Sequence, residues 1–337
     1  MSALKYFGMR DFEKLFSKIA GLKVAVIGDV MLDTYWWGKV ERISPEAPVP
    51  VVTLQTKEYR LGGAGNVALN TVALQAQTTL FSVTGDDDDA VILIDALQKR
   101  HIDTQYIIKS SDRITTNKTR IISRNQQMMR LDAEITTDIS KKDEGLLIQN
   151  LTSFIQSNNP DTVIFEDYNK GVLTESLIKT VIALCKEHGI VTAVDPKRKN
   201  FFTYKGADIF KPNLKEVKEG LNLLLDDVTE TALANIHKQL HQSLHHKISL
   251  ITLSEKGVFI QDENAGHIIP SHLRNITDVS GAGDTVIAVA SLVYAATKDS
   301  LLAASIANLA GGIVCEDVGT VAINTRKLLQ ECKDCLF

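Results

Sequence analysis

From residue 145 onward the chain alternates short apolar, β-branched runs with stretches of helical periodicity, and a polar cluster follows each run. Residues 162–165 end at Glu166-Asp167-Tyr168, with Lys170-Gly171 and a helical stretch, 175–188, after them. Residues 191–194 end at Asp195-Pro196-Lys197, and residues 209–210 at Lys211-Pro212-Asn213, where a helix opens with Leu214 and Glu216. Residues 248–253 end at Ser254, followed by Lys256-Gly257. Such alternation predicts a parallel sheet with helices on both faces, and ligands of open α/β sheets bind at the C-terminal strand edge. Each polar end alone is ordinary turn chemistry; four in series point to a site on that edge. Near the start, K-V-A-V-I-G-D (23–29) reads as a further buried strand feeding a loop, with Asp33 four residues past Asp29.

Residues 278–285 read D-V-S-G-A-G-D-T and run into the apolar segment 286–296. Gly281 and Gly283 permit a tight turn and close approach of the backbone to a ligand. If 286–296 is a buried helix, the amides of 281–284 lie at its N-terminus without intrahelical acceptors, a ready anion site. Asp284 is then a first-turn carboxylate beside that site. The pairing suits phosphoryl transfer, with donors for the moving group and a base for the attacking hydroxyl. An N-capped core helix behind a glycine turn is the plainer reading of the same residues. A second glycine run, Gly62-Gly63-Ala64-Gly65-Asn66, precedes an apolar helical stretch, 67–74, with Asn66 able to hydrogen-bond a ligand hydroxyl. No G-x-G-x-x-G follows the 23–29 strand and no G-x-x-x-x-G-K-[ST] occurs, which excludes a dinucleotide fingerprint and a P-loop there.

Residues 35–60 have no helical period and hold Trp36, Trp37, Pro45, Pro48 and Pro50, which predicts edge strands and turns projecting from the core. Residues 115–132 are also β-like and carry Lys118, Arg120, Arg124 and Arg130. The reading is one domain, 1–337, with two excursions, 34–60 and 113–134, forming a small β lid. A plain surface hairpin is the alternative; the cation density favours a lid over an anionic sugar.

A net charge of −4 gives no broad basic footprint, so nucleic acid is not an expected partner. No apolar stretch reaches roughly 18 residues and none at the start has signal character, so the expectation is a cytoplasmic protein without membrane contact. Cys332 and Cys335 form a lone C-x-x-C, expected in a frayed tail rather than at a metal. His241, His245 and His246, interleaved with Gln and Lys, read as a solvated helix face.

Together these pieces resemble the PfkB, or ribokinase-like, carbohydrate kinase family, over 24 to about 320. Gly62-Gly63 with Asn66 is similar to its first signature and 278–285 to its second, with Ser280 where Thr is usual. Asn213-x-x-Glu216 is similar to its metal motif, and Thr252-Leu253-Ser254 with Gly257 to its nucleotide stretch. Within the family the likeness is greatest to the D-glycero-β-D-manno-heptose-7-phosphate kinases. It is carried by G-D-V-M-L-D (28–33), R-I-S-P-E-A-P-V-P-V (42–51), S-R-N-Q-Q (123–127) with Arg130-Leu131-Asp132, and Asp167-Tyr168 with Lys170-Gly171. Glu166 and Asn169 depart from the usual pattern, and no H-x-G-H nucleotidyltransferase motif occurs, so the adenylyl-transfer half of the bifunctional relatives is missing here.

The resemblance implies an α/β fold, a ribokinase-like three-layer αβα sandwich with a mostly parallel central sheet and a small β lid. It implies transfer of the ATP γ-phosphate to the anomeric hydroxyl of heptose 7-phosphate, giving the 1,7-bisphosphate for lipopolysaccharide core synthesis. Asp284 is then the base, and Gly281, Ala282 and Gly283 supply the anion-binding amides. Asn213 and Glu216 hold Mg²⁺, while Thr252, Ser254, Gly257 and Asn308 line the nucleotide with Gly281 and Gly283. Asp33, Gly62, Gly63, Asn66, Asp132 and Asp167 serve the sugar. Arg42, Lys118, Arg120, Arg124, Lys170 and Lys197 are the unranked candidates for its phosphate. Asp278 with the 319–322 loop matches the place of a monovalent cation such as K⁺, and a homodimer through the lid is expected. The rivals are a kinase for another sugar, such as fructose 6-phosphate or ribose, and a non-catalytic sugar-binding protein on the same fold.

Overall fold

The first strand, β1 (Lys23–Gly28), sends Val24 and Val26 into one hydrophobic core and Ala25 and Ile27 into another, and all four are fully buried. A strand apolar on both faces belongs in a parallel sheet covered on both sides. This is a computed structural model, and it describes residues 11–124, 126–224 and 227–336; Asn125 of the 123–127 run lies outside the described residues.

After α1 (Phe12–Ile19) and β1, the chain forms a long hairpin of β2 (Val30–Ile43) and β3 (Pro50–Gly63), then α2 (Ala64–Ala73). It continues through β4 (Gln77–Gly85), α3 (Asp88–Gln98), β5 (Asp103–Ser110), a second hairpin of β6 (Asn117–Ser123) and β7 (Gln126–Ala133), and α4 (Lys141–Asn158). The alternating half follows: β8 (Thr162–Glu166), α5 (Glu175–His188), β9 (Val191–Asp195), β10 (Ile209–Phe210), α6 (Leu214–Leu221), α7 (Glu230–Leu244) and β11 (Ile248–Thr252). Strands β12 (Val258–Gln261) and β13 (His267–Ile269) precede α8 (Ala282–Thr297), α9 (Ser300–Val314) and α10 (Thr325–Cys335).

Among the described residues nine strands form one sheet in the order β13-β12-β11-β10-β9-β8-β1-β4-β5, parallel except at β12 and β13. Helices α1, α2, α3, α8, α9 and α10 build the core on one face, and α4, α5, α6 and α7 the core on the other. The fold is thus a three-layer αβα sandwich. From β1 the sheet grows one way through β4 and β5 and the other way through β8 to β11, so the order reverses between β1 and β8. Crevices form at such a reversal, because the flanking helices leave on opposite faces. The four strands of the two hairpins make a separate small sheet, β3-β2-β6-β7.

Three local expectations are corrected. Only Asp29 separates β1 from β2, so Asp33 lies in a strand and not in a loop. The reason is that Val30, Met31 and Leu32 are buried and pair with Gly63, Gly62 and Leu61. The C-x-x-C does not fray: it ends helix α10, where Cys332 is fully buried in the first core. The histidines are not all solvated either. His245 caps α7 in the left-handed conformation, which turns the chain inward and buries His246 against Phe210 and His237.

Candidate active site

Two helix N-termini meet above the reversal point. Gly281 precedes α8 with φ 77°, and a Cβ there would lie 2.5 Å from Asn66 Nδ2, so only glycine fits. Gly63 precedes α2 with φ 55°, and its Cβ would lie 2.3 Å from the Asp29 carbonyl oxygen. These approaches put Asn66 and Asp284, each in the first turn of its helix, within reach: Asn66 Nδ2 donates to Asp284 Oδ2 at 2.8 Å. Tyr168, in the loop after β8, donates its hydroxyl to Asp284 Oδ1 at 2.8 Å. That loop is pinned by Asp29, whose carboxylate accepts the amides of Tyr168, Lys170 and Val172 at 2.8, 2.9 and 3.0 Å.

Asp284 is buried, and burial raises its pKa to about 6; the charge of Asp195 adds to this, against the hydrogen bonds from Asn66 and Tyr168. A carboxyl group near 6 is largely ionised at neutral pH yet basic enough to take a proton.

Around it lies a charged floor at the ends of β8, β9 and β10. Lys211, itself buried, pairs with Asp195 Oδ2 at 2.7 Å. Lys197 bridges Asp195 Oδ1 at 3.3 Å and Glu216 Oε1 at 2.7 Å. A Cβ on Gly283 would meet Lys211 Nζ at 3.5 Å and Asp195 Oδ2 at 3.7 Å, so the glycine turn faces this floor. Glu166 is fully buried and neither of its carboxyl oxygens has a hydrogen-bond partner among the described residues. Burial, with Asp195 and Asp284 beside it, holds its pKa well above the usual range.

On the lid side, Asp33 is buried and accepts from Arg120, whose guanidinium also lies over the Tyr35 ring. A Cβ on Gly62 would lie 2.6 Å from Asp33 Oδ2. Lys170 and Lys118 converge on Glu134, at 2.8 and 3.9 Å. Arg124 sits at the turn between β6 and β7, and Ser123 pairs with Gly38, whereas Lys118 pairs with Asp33. Five residues of strand, roughly 17 Å, therefore separate the Arg124 end from Asp33. Arg42, opposite Val51, is exposed at the same distal end. Asp132 is exposed and pairs with Arg130 at 2.8 Å. Asp167 takes hydrogen bonds from Tyr204 at 2.7 Å, Asn200 at 3.2 Å and the Asn169 amide at 2.8 Å, which makes it a buried support of its loop.

Asn213 and Glu216 form a capping box on α6: Glu216 N donates to Asn213 Oδ1 and Asn213 N to Glu216 Oε2, both at 2.8 Å. Glu216 Oε1 remains on Lys197, in the floor that faces Gly283, so a hydrated Mg²⁺ fits there as an exchange of one cation for another. Thr252 bridges to Asn213, and Ser254 is exposed in a left-handed turn. Gly257 has no room for a Cβ, which would lie 2.0 Å from the Ile269 carbonyl. Asn308, in α9, donates to the Pro270 carbonyl at 2.9 Å. Asp278 ties the glycine turn to the 319–322 loop by accepting from Ser280 N and Oγ and from Gly319 N.

Sequence reasoning gave no role to Tyr168 as a partner of Asp284, nor to Asp29, Asp195 and Lys211. Each ends a strand or lies in the loop after it, and that position is the signal that marked them.

The chain belongs to the pfkB family of carbohydrate kinases, whose model matches residues 22–327. Among curated relatives it is 41% identical over 299 residues to Bifunctional protein HldE of Aliarcobacter butzleri, covering 88% of this chain and 61% of that protein. To the proteins of the same name from Helicobacter hepaticus and Geobacter sulfurreducens it is 39% and 36% identical, covering 91% and 95% of this chain and 63% and 65% of theirs. The chain thus spans less than two thirds of the length of these relatives. The fold is shared with Arabidopsis thaliana ribokinase complexed with ribose and ATP (TM-score 0.71, 17% identity, 92% and 99% of the two chains). It is also shared with phosphofructokinase-2 from Escherichia coli in complex with potassium (TM-score 0.77, 15% identity, 94% and 99%).

Proposed function

We propose that this chain is an ATP-dependent kinase that phosphorylates the anomeric hydroxyl of D-glycero-D-manno-heptose 7-phosphate to the 1,7-bisphosphate. The observation that carries the reading is Asp284: a buried carboxylate with pKa near 6, held on both oxygens, in the first turn of a helix behind a glycine anion site. The HldE relatives and the 28–33, 42–51 and 167–171 stretches support the heptose, and the cationic lid supports a phosphorylated sugar.

The hydroxyl proton passes to Asp284 as the oxygen attacks the γ-phosphorus, and the bond to the bridging oxygen breaks to release ADP. A placed base typically contributes about 10²–10⁴ in rate. The amides at Gly281, Ala282 and Gly283 take the charge on the transferred group, where a single donor is worth on the order of 10²–10³. Glu216 and Asn213 would hold Mg²⁺, which would neutralise charge on the nucleotide phosphates. Thr252, Ser254, Gly257 and Asn308 line the nucleotide. Arg120, Lys118 and Lys170 hold the sugar phosphate, and Asp33, Gly62, Gly63 and Asn66 border the sugar; Asp278 and the 319–322 loop would hold a monovalent cation. The reaction serves ADP-heptose synthesis in the cytoplasm.

The lid also serves as a dimer surface. Met129 and Leu131, two apart in β7 and so on one face, are exposed, as are Ile43 and Leu54. Sedimentation of Met129→Asp tests this: a dimer unaffected by the change removes the lid from the interface.

The deciding assay incubates the chain with Mg-ATP and, separately, heptose 7-phosphate, fructose 6-phosphate and ribose, with the phosphorylated carbon read by NMR. Phosphate on C1 of the heptose supports the reading. Preference for another acceptor replaces it with a different sugar kinase, and no ATP turnover with any of them favours a binding protein.

A further inference from the structure

We propose that a cavity between edge strand β3, helix α3 and residues 320–322 is an inhibitory effector site for a phosphate monoester carrying a flat ring, of mononucleotide size. The cavity holds about 500 Å³, within the range of small-molecule sites. Asp284, Asn66 and Tyr168 do not line it, so it is separate from the reacting centre. Strand β3 is the edge of the small sheet, and no strand covers its outer side, where Tyr59, Arg60 and Leu61 border the cavity.

The wall is divided chemically. Arg60, Lys99 and Arg100 bring three positive charges against one carboxylate, Asp95. Lys99 pairs with Asp95 at 2.7 Å, while Arg100, just past the end of α3, has no ion-pair partner among the described residues. Ile92, Ala96, Val321 and Ala322 are only partly covered and make an apolar floor, with the exposed Tyr59 at its border. A phosphate suits the guanidinium of Arg100 beside Lys99, and a flat ring suits the floor and the Tyr59 ring. A bare anion would leave the floor wet, and a neutral ring would leave the arginine unpaired.

Thr320 adds an independent observation. It is buried and lines the cavity, and its hydroxyl has no hydrogen-bond partner among the described residues. Its methyl lies against the glycine turn, since a Cβ on Gly281 would be 3.1 Å from Thr320 Cγ2. Buried hydroxyls are rarely left unpaired, and an occupant supplies the missing partner.

The same residues connect the cavity to the reaction. Arg60 donates to the Val318 carbonyl, and the Gly319 amide donates to Asp278 Oδ2 at 2.8 Å. Arg60 and Asp278 thus hold the 318–320 segment against the Gly281 turn. A phosphate in the cavity competes with the Val318 carbonyl for Arg60 and loosens that segment. The effect is a loss of turnover without competition for ATP or sugar. The inference goes beyond the proposed reaction, and its binding measurement leaves the identity of the sugar out of the outcome.

The test is calorimetric titration of AMP into the full chain saturated with Mg²⁺ and AMP-PNP, which keeps the nucleotide site filled. The expected result is one AMP per chain, bound about tenfold more weakly by Arg100→Ala and not at all by Ala96→Trp, whose indole fills the cavity. Inorganic phosphate and adenosine, each alone, bind at least about tenfold more weakly than AMP. In turnover assays AMP lowers kcat and leaves KM for ATP unchanged, and Ala96→Trp escapes this inhibition while keeping basal turnover. Thermal melting of Ala96→Trp separates a filled cavity from a lost fold, and the exposed Arg100→Ala gives the same readout without touching the floor. No AMP bound beside AMP-PNP overturns the proposal. So does binding that both variants retain, phosphate or adenosine binding as tight as AMP, or bound AMP that leaves kcat unchanged.

Discussion

Tyr168 and Asp284 are joined by a 2.8 Å hydrogen bond across the seam between the β8 loop and helix α8, and Asn66 takes the other carboxylate oxygen at the same distance. Two donors from two elements fix the plane of the carboxylate, leaving one direction for a substrate proton. The bond from Tyr168 also stabilises the ionised form, holding down a pKa that burial has raised. Tyr168→Phe is expected to cut turnover about tenfold, the scale of a hydrogen bond to a charged group. It should also move the acid limb of the pH–rate profile upward from about pH 6. A limb that stays in place would make Tyr168 a bystander.

Asp284→Asn removes the base and keeps the volume. Turnover is expected to fall by at least about a hundredfold with ATP and sugar binding retained. Isothermal titration beside steady-state kinetics measures both, and near-native turnover would take the base role away from this residue.

The lid cations divide by position. Arg120 is beside Asp33, while Arg124 is at the far turn, roughly 17 Å along the strand. Arg120→Ala is expected to raise KM for the phosphorylated sugar far more than KM for ATP, and Arg124→Ala to do so less. Equal effects of Arg120→Ala on both substrates would argue against a phosphate-clamping lid.

What the sequence disclosed follows from periodicity. Buried strands and their polar ends are local patterns, so β1 and β8 to β11 and their parallel direction were readable from short runs, and the glycine turn from residues 278–285; β4, β5 and the antiparallel β12 and β13 were not named. The partnerships were not. Asn66 and Asp284 are 218 residues apart, and only the close approach at Gly281 and Gly63 makes the first a holder of the second. Asp167 has the look of a ligand-reading acid at a strand end; its hydrogen bonds to Tyr204 and Asn200 are set by a loop packed some thirty-five residues later. The inward turn at His245 likewise depends on one left-handed residue that helical spacing does not reveal.

Glu166 offers a measurement of stability. Its pKa in the fold is raised, chiefly by burial and then by Asp195 and Asp284, against Lys197 and Lys211. A carboxyl group so raised favours the fold while protonated, and that contribution is lost as pH rises through its folded value. In metal-free buffer Glu166→Gln should therefore melt higher than the unmodified chain at pH 8, with the gap closing toward pH 5. Calorimetry at the two pH values decides it; a gap that widens in acid contradicts a buried, protonated Glu166.

Strand β3 passes into helix α2 at Gly63 without an intervening loop, and Asn66 lies three residues beyond the junction. The outer sheet and the residue that holds the Asp284 carboxylate are therefore mechanically one piece. Any tilt of the hairpin reaches the Asp284 carboxylate through the turn at Gly63 and the hydrogen bond from Asn66. Position of the outer sheet and position of that carboxylate are coupled through the β3–α2 junction and one side-chain hydrogen bond, from Asn66 to Asp284.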